Sequence, residues 1–147
     1  MPPQLAYLRD ESLSFEEYHA FLKRTDLGSQ YPEERLRERL ERLLANRSLS
    51  ITARSEDGAL VGVAFGLTDF AYFLLLTDLG VDRSLVKSGI GSELLRRLVE
   101  AAGGENDISL VTVSNDEAYG FYRKAGLQND RGLFWKPCQQ WTRHTIR

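Results

Sequence analysis

TDLGVDRSLVKSGIGSELL, residues 77–95, decides how the rest of the chain is read. It passes from a β-type run into a helical one through two glycines one residue apart, Gly89 and Gly91. A helix that opens at about Gly89 aims its unpaired N–H groups beyond the end of the preceding strand, and its dipole favours negative charge there. Glycines at that entrance remove the side chains that would hold a phosphate oxygen away from those N–H groups. The same residues also fit a plainer purpose, with Gly89 starting the helix and Gly91 letting it pack closely on a sheet. No Gly-Lys-Ser/Thr follows, which excludes a P-loop, and Leu94 stands where the third glycine of a dinucleotide fingerprint belongs.

Working outward, residues 72–82 read as a strand leading into this entrance. Ile90, Leu94, Leu98 and Ala101 then form one helical stripe, with Leu95 and Ala102 beside it, ending at Gly103-Gly104. Upstream, 49–55 and 59–67 predict two antiparallel strands joined by the tight turn EDG, 56–58. Residues 4–9 predict a first strand. Ser14 followed by Glu17 is a capping-box pattern opening a helix. Leu36, Leu40, Leu43 and Leu44 mark a second helix, with Pro32 in its first turn and arginines interleaved with glutamates as an ion-paired surface. Downstream, 109–113 predict a buried strand, 115–126 a short helix, and GLFWKP at 132–137 a closing strand, with Tyr72, Phe73, Phe134 and Trp135 as sheet core. The order is strand, two helices, three strands, helix, strand, helix, strand: an α/β chain with a mainly antiparallel first half.

The chain has 147 residues and neither repeats nor linkers, so one domain spanning 1–147 is expected, with 138–147 as a polar C-terminal tail. A net charge of −2 gives no field to attract nucleic acid or an anionic membrane. The longest apolar run, AYFLLL at 71–76, is too short to span a bilayer, and MPPQLAYLRDES lacks a signal-peptide layout. A cytoplasmic protein is expected, without membrane or nucleic-acid partners. The lone Cys138 excludes an internal disulfide and lies in a polar tail without an evident base partner. His19 and His144 lack ligand spacing, so no metal site is expected.

The quoted stretch resembles the acetyl-CoA-binding motif of the GCN5-related N-acetyltransferase (GNAT) superfamily, in which a strand ending in acidic-Leu-x-Val is followed by [RQ]-x-x-G-x-[GA] and a long helix. NDEAYGFYRKAGL, 115–127, resembles that family's second motif, Asn-x-x-Ala-x-x-Phe-Tyr-x-x-x-Gly-[FL]. The resemblance implies the GNAT acyl-CoA N-acyltransferase fold, a mixed, mostly antiparallel twisted sheet flanked by helices. It implies acetyl-CoA as co-substrate, its pantetheine arm lying between the strands at 72–82 and 109–113 against Leu79, Gly80 and Val81. The pyrophosphate would rest on backbone N–H groups over Val86, Lys87, Ser88, Gly89, Ile90 and Gly91, with Ser88, Ser92 and Lys87 side chains assisting. The chain departs from the pattern at Val86, where the family has Arg or Gln. Valine keeps the main-chain N–H but lacks a side-chain donor, worth ~1–3 kcal/mol where such a donor is used.

The implied activity is transfer of acetyl from acetyl-CoA to a primary amine by direct attack. Tyr122 matches the position of the acid that protonates the leaving thiolate; read without the motif, it is an amphipathic core tyrosine. Asp78, on the strand lining the cleft, is a candidate base, though alternation along the strand equally allows it to face solvent. Asp116 and Glu117 are ordinary acids of a helix's first turn, and Asn115 a helix cap placed near the pantetheine. The acceptor, a small amine or a protein amine, would be recognised by 14–46 and the loops 66–72 and 127–133. Trp141 is expected to line that cleft or to pack against a second subunit of a homodimer. Two rival readings are a non-catalytic acyl-CoA-binding or regulatory module and a protein-interaction module that keeps only the scaffold.

Overall fold

The computed structural model describes residues 4–129, 132–139 and 146. Its element order is β1 (Leu5–Arg9), α1 (Phe15–Leu22), α2 (Leu36–Asn46), β2 (Leu49–Ser55), β3 (Leu60–Thr68), β4 (Phe73–Val81), α3 (Ile90–Ala102), β5 (Ser109–Thr112) and α4 (Tyr119–Lys124), with 3-10 turns at Leu27–Gln30, Arg83–Leu85 and Asp116–Ala118. The strands form one sheet in the order β1-β2-β3-β4-β5; β1 to β4 pair antiparallel and β5 joins β4 in parallel. The expected mixed, mostly antiparallel sheet flanked by helices is the architecture found.

Each face of the sheet carries a core. On one, α3 lays Ile90, Leu94, Leu95, Leu98 and Ala102 against Leu49, Ile51, Ala53, Ala64, Leu74 and Leu76. On the other, α1, α2 and the intervening 3-10 turn bring Tyr18, Phe21, Leu22, Leu27, Tyr31 and Leu40 onto Leu60, Val63 and Phe65. Gly62 lets α3 lie close: a Cβ there would stand 2.9 Å from Leu94 Cδ1. Ser14 caps α1 by accepting from the Glu17 N–H at 3.1 Å, one half of the predicted box. The other half is absent because the Glu17 carboxylate takes Arg54 instead, at 2.9 and 3.0 Å.

Four expectations are corrected. Residues 132–137 form no strand, and Phe134 and Trp135 are 93% and 60% exposed; Tyr72 and Phe73 are exposed as well. Aromatic composition alone suggests core, but neither hydrophobic cluster includes these residues. Helix α2 starts at Leu36, beyond Pro32, because Arg35 adopts a left-handed conformation (φ 53°) that a right-handed helix cannot include. The second-motif helix is shorter than 115–126: Asn115 caps a 3-10 turn, its side chain accepting from the Ala118 N–H at 2.9 Å, and α4 follows. Finally, the tail is not wholly polar, since Ile146 is buried in the second core, 3.3 Å from where a Cβ on Gly28 would lie. Trp141 and His144 fall outside the described residues.

The ion-paired surface of α2 is present: Arg37 meets Glu41 at 2.7 Å and Glu16 at 2.9 Å, and Arg42 meets Glu38 at 3.1 Å. No helix among the described residues is long and apolar enough to cross a membrane.

Candidate functional site

Strands β4 and β5 pair only from Phe73↔Ser109 to Leu76↔Thr112. There β5 stops, while β4 runs on to Val81, held on its other side by β3. The result is a fork whose open arm is the backbone of β4. The Asp82 N–H donates to Val61 O at 2.9 Å, and antiparallel ladders alternate, so Gly80 and Asp78 direct their backbone groups at β3. Leu79 and Val81 therefore present N–H and C=O to the gap, the edge groups an extended amide-bearing ligand pairs with. Of the three residues named for the pantetheine, Leu79 and Val81 offer backbone, whereas Gly80 turns its backbone to β3 and admits Leu27, whose Cδ2 would lie 2.9 Å from a Cβ there.

Beyond the open arm the chain turns into α3. Two reciprocal clamps fix this turn to the end of α1: Arg24 to Asp82 at 3.1 Å, and Arg83 to Asp26 at 2.8 Å, with the Arg83 N–H on Arg24 O at 2.8 Å. Asp82 also accepts from the Ser84 N–H at 2.9 Å. Past this anchor, Val86, Lys87, Ser88 and Gly89 are exposed. Lys87 (φ 65°) and Gly89 (φ 87°) are both left-handed, and nothing lies within 4 Å of where a Gly89 Cβ would be. The helix entrance is thus open, as an anion-binding turn requires. Gly91 has a different role: the missing Cβ would touch the Phe121 ring at 3.5 Å, ordinary packing contact. The Ser88 hydroxyl donates to Leu85 O, which holds the turn; Ser92 is exposed, and the Ile90 side chain is buried under α3. Glu93 would oppose an anion in the first turn, but hydrogen bonds from Arg96 and Arg97, at 2.7 and 2.8 Å, hold its carboxyl at about 2 and neutralise it.

Tyr122 lies at the fork. Its ring packs beside Phe121 against the α3 core, and its hydroxyl is hydrogen-bonded to Thr112. The Thr112 hydroxyl donates to Leu76 O at 3.0 Å, the last paired residue of β4. When the phenol ionises, the Thr112 proton can turn from Leu76 O to the phenolate, which is how Thr112 favours the charged form. Burial raises its pKa above the usual phenol value, Thr112 offsets part of this, and the Asp78 charge adds to the rise.

Asp78 neither lines the open gap nor faces solvent; it is 1% exposed. The cause is a bulge. Phe65 pairs with Asp78 and Gly66 with Leu76, leaving Thr77 as the extra residue and reversing the alternation of faces. Leu74 and Leu76 face α3, whereas Asp78 turns to the α1 side. There its carboxylate accepts from Tyr31, from Gln30 at 2.7 Å and from Thr77 at 2.8 Å, and Tyr18 joins Tyr31 at 2.6 Å. Burial raises the Asp78 pKa, against the lowering effect of those bonds and of Arg47. Gln30 also donates to Thr77 O at 3.1 Å, tying the α1–α2 connection to the bulge.

Thr112, Gln30 and Tyr31 were not singled out in the sequence. Thr112 sits three residues before the second motif, a visible signal; Gln30 and Tyr31 carry none. A cavity of about 520 Å³ lined by Asp10, Leu13, Leu44, Arg47 and Ser50 lies across β3 and β4 from the fork and shares no residue with it. Among the described residues no group of three or more His, Cys, Asp or Glu is placed to hold a metal.

Residues 12–127 match the model of the acetyltransferase (GNAT) family. The chain is 30% identical over 88 residues to a histone acetyltransferase of Glycine max, an alignment taking in 56% of this chain and 38% of that protein. The chain thus spans well under half the length of that curated relative. Its fold is similar to a GNAT-family acetyltransferase of Streptococcus pneumoniae (TM-score 0.69, 22% identity, 91% of this chain and 98% of that one). It is also similar to a predicted acetyltransferase of Clostridium acetobutylicum solved with acetyl-CoA (TM-score 0.69, 18% identity, 91% and 96%). With most of its length inside the family model and the forked sheet in place, the chain belongs to the GNAT acetyltransferase family.

Proposed function

We propose that this protein transfers an acetyl group from acetyl-CoA to a primary amine by direct attack within a ternary complex. The observation that carries the reading is the fork: pairing with β5 ends at Leu76, and β4 continues to Val81 with backbone groups directed into the gap. Acetyl-CoA supplies an activated thioester. Leu79 and Val81 pair with its amides, the N–H groups from Val86 to Gly91 face its diphosphate, and the backbone of β4 near Leu79 donates to the developing oxyanion. Tyr122, protonated at neutral pH, is poised to give its proton to the leaving thiolate. Asp78 is screened from the gap by Gln30, Tyr31 and Thr77, so we assign the amine's proton to water at the mouth and give Asp78 the task of anchoring the bulge.

A second reading, acyl-CoA binding without catalysis, is favoured by Val86 at the Arg/Gln position and by the absence of an exposed acid on β4. One experiment separates the two. Purified protein is incubated with acetyl-CoA and a broad amine panel while free thiol and thermal shift are followed. Thiol release dependent on amine supports transfer; a shift without release supports the binding module. Gly89→Glu places a carboxylate in the open entrance, and equal acetyl-CoA binding by this variant and the parent would remove the diphosphate from the turn.

A further inference from the structure

From the side chains around the fork, and resting on the acetyltransferase reading above, we infer that the acceptor is a small primary amine carried on an aromatic or branched aliphatic body. Helix α3 covers one face of the sheet, and Tyr122 and Thr112 belong to that side. The amine must therefore approach from the other face. On that face Leu67 pairs with Leu75, and Leu75 with Val111, forming a row across three strands one residue short of the fork. Phe73 stands two residues further along β4. Leu67, Phe73 and Leu75 are 46%, 59% and 39% exposed.

This row is continuous with the gap, since Leu75 directly precedes the last paired residue of β4. Its chemistry is apolar and carries no charged side chain. The acid of the adjoining turn, Asp69, is exposed and accepts from the N–H groups of Phe73, Tyr72 and Ala71 at 3.0, 2.8 and 2.9 Å, which hold its carboxyl below the usual range and keep it ionised. Asp78, the acid of β4, is sealed in the opposite layer. Asp69 alone offers a polycationic acceptor a single charge at the edge of the row, whereas an aromatic or branched body finds surface that water otherwise covers at a cost. Phe70 and Tyr72, in the β3–β4 turn beside the row, are exposed as well.

The test compares tryptamine, 2-phenylethylamine and spermidine as acceptors, following thiol release, in the parent and in Phe73→Glu and Leu67→Ser, with the mass of each protein measured in solution. Tryptamine and 2-phenylethylamine are expected to give the higher kcat/KM. Phe73→Glu is expected to raise their KM about tenfold with KM for acetyl-CoA unchanged. Leu67→Ser, at the β3 end of the row, shifts the same parameter in the same direction and covers the case in which Phe73→Glu fails to fold. Spermidine used as well as tryptamine, or an amine KM indifferent to both variants, overturns the inference. So does a dimer that Phe73→Glu dissociates without changing amine KM, because the face is then a subunit contact. Absence of any thermal shift with acetyl-CoA overturns the acetyltransferase reading and this inference with it; a shift without apolar preference overturns this inference alone.

Discussion

Two residues divide the chemistry of the fork. Tyr122 is hydrogen-bonded to Thr112, and the Thr112 hydroxyl also reaches the carbonyl that ends the β4–β5 pairing, so the phenol is tied to the fork. Tyr122→Phe is expected to lower kcat by roughly 10²-fold, with little change in acetyl-CoA affinity; steady-state kinetics alongside equilibrium titration checks both. A proton donor must be protonated, so the rate falls only as pH rises past a phenol held above its ordinary value, and Tyr122→Phe lacks that alkaline limb. Thr112→Val should move the limb further up, because Thr112 holds the phenol's pKa down, and Thr112→Ser should restore it. Asp78 follows a different rule. Its pKa is raised by burial, so it stabilises the fold fully below the ordinary carboxyl range and progressively less as pH rises through the folded value. Asp78→Asn keeps acceptors for Tyr31 and Gln30, and its amide can donate to Thr77 Oγ, whose own proton reaches Phe65 O at 3.2 Å. Melting curves should show the asparagine variant matching or exceeding the parent at pH 7, its margin shrinking toward pH 3; a margin that grows on acidification contradicts this. The face of Asp78 was not legible in the sequence. Strict alternation places it with Leu74 and Leu76, and the bulge at Thr77 that reverses it carries no glycine or proline to announce it.

At the scale of elements, the two glycines of the opening stretch separate into two physical roles. Gly89 is left-handed with open space around it, and Gly91 is the second residue of α3, packed on Phe121. The plainer reading of the sequence put Gly89 at the helix start and Gly91 at a packing contact with the sheet; spacing alone does not show that Gly89 has positive φ or that Gly91 packs on Phe121. Gly89→Ala should cost about 1 kcal/mol for a Cβ in the left-handed region. Gly91→Ala should be neutral or gain up to ~1 kcal/mol of helix propensity. Denaturant unfolding of the two variants measures the difference, and a larger loss at Gly91 than at Gly89 would contradict the assignment. The elements most legible were those whose period is uninterrupted: the α3 stripe and the β2–β3 hairpin with its Asp57-Gly58 turn, where Gly58 has φ 86° and its N–H donates to Ser55 O at 2.9 Å. The strand expected at 132–137 failed for the opposite reason: an apolar composition fits a strand, but pairing requires a neighbour, and composition names none.

At the scale of the molecule, one sheet serves two cores, and that sharing has a thermodynamic consequence. Successive residues of β3 alternate between layers, Ala64 packing toward α3 and Val63 and Phe65 toward α1 and α2. Losing either helix layer strips one face of the same strands, so neither core has a sheet of its own to rest on. The proposed site depends on both: α3 supplies the turn we assign to the diphosphate, and the α1–α2 connection holds the bulge through Gln30. Truncating either core should therefore lower the stability of the whole. Leu94→Ala and Phe65→Ala, each at a fully buried position, are expected to cost about 2–5 and 3–5 kcal/mol. In both variants, loss of tertiary aromatic signal and loss of secondary structure should coincide in one transition. Saturating acetyl-CoA should raise both midpoints, since ligand binding to the folded state stabilises the whole unit. Leu94→Ala showing two separated transitions, with the tyrosine-rich layer around Tyr18 and Tyr31 surviving the melting of α3, would show that the layers fold independently and that the fork does not couple them.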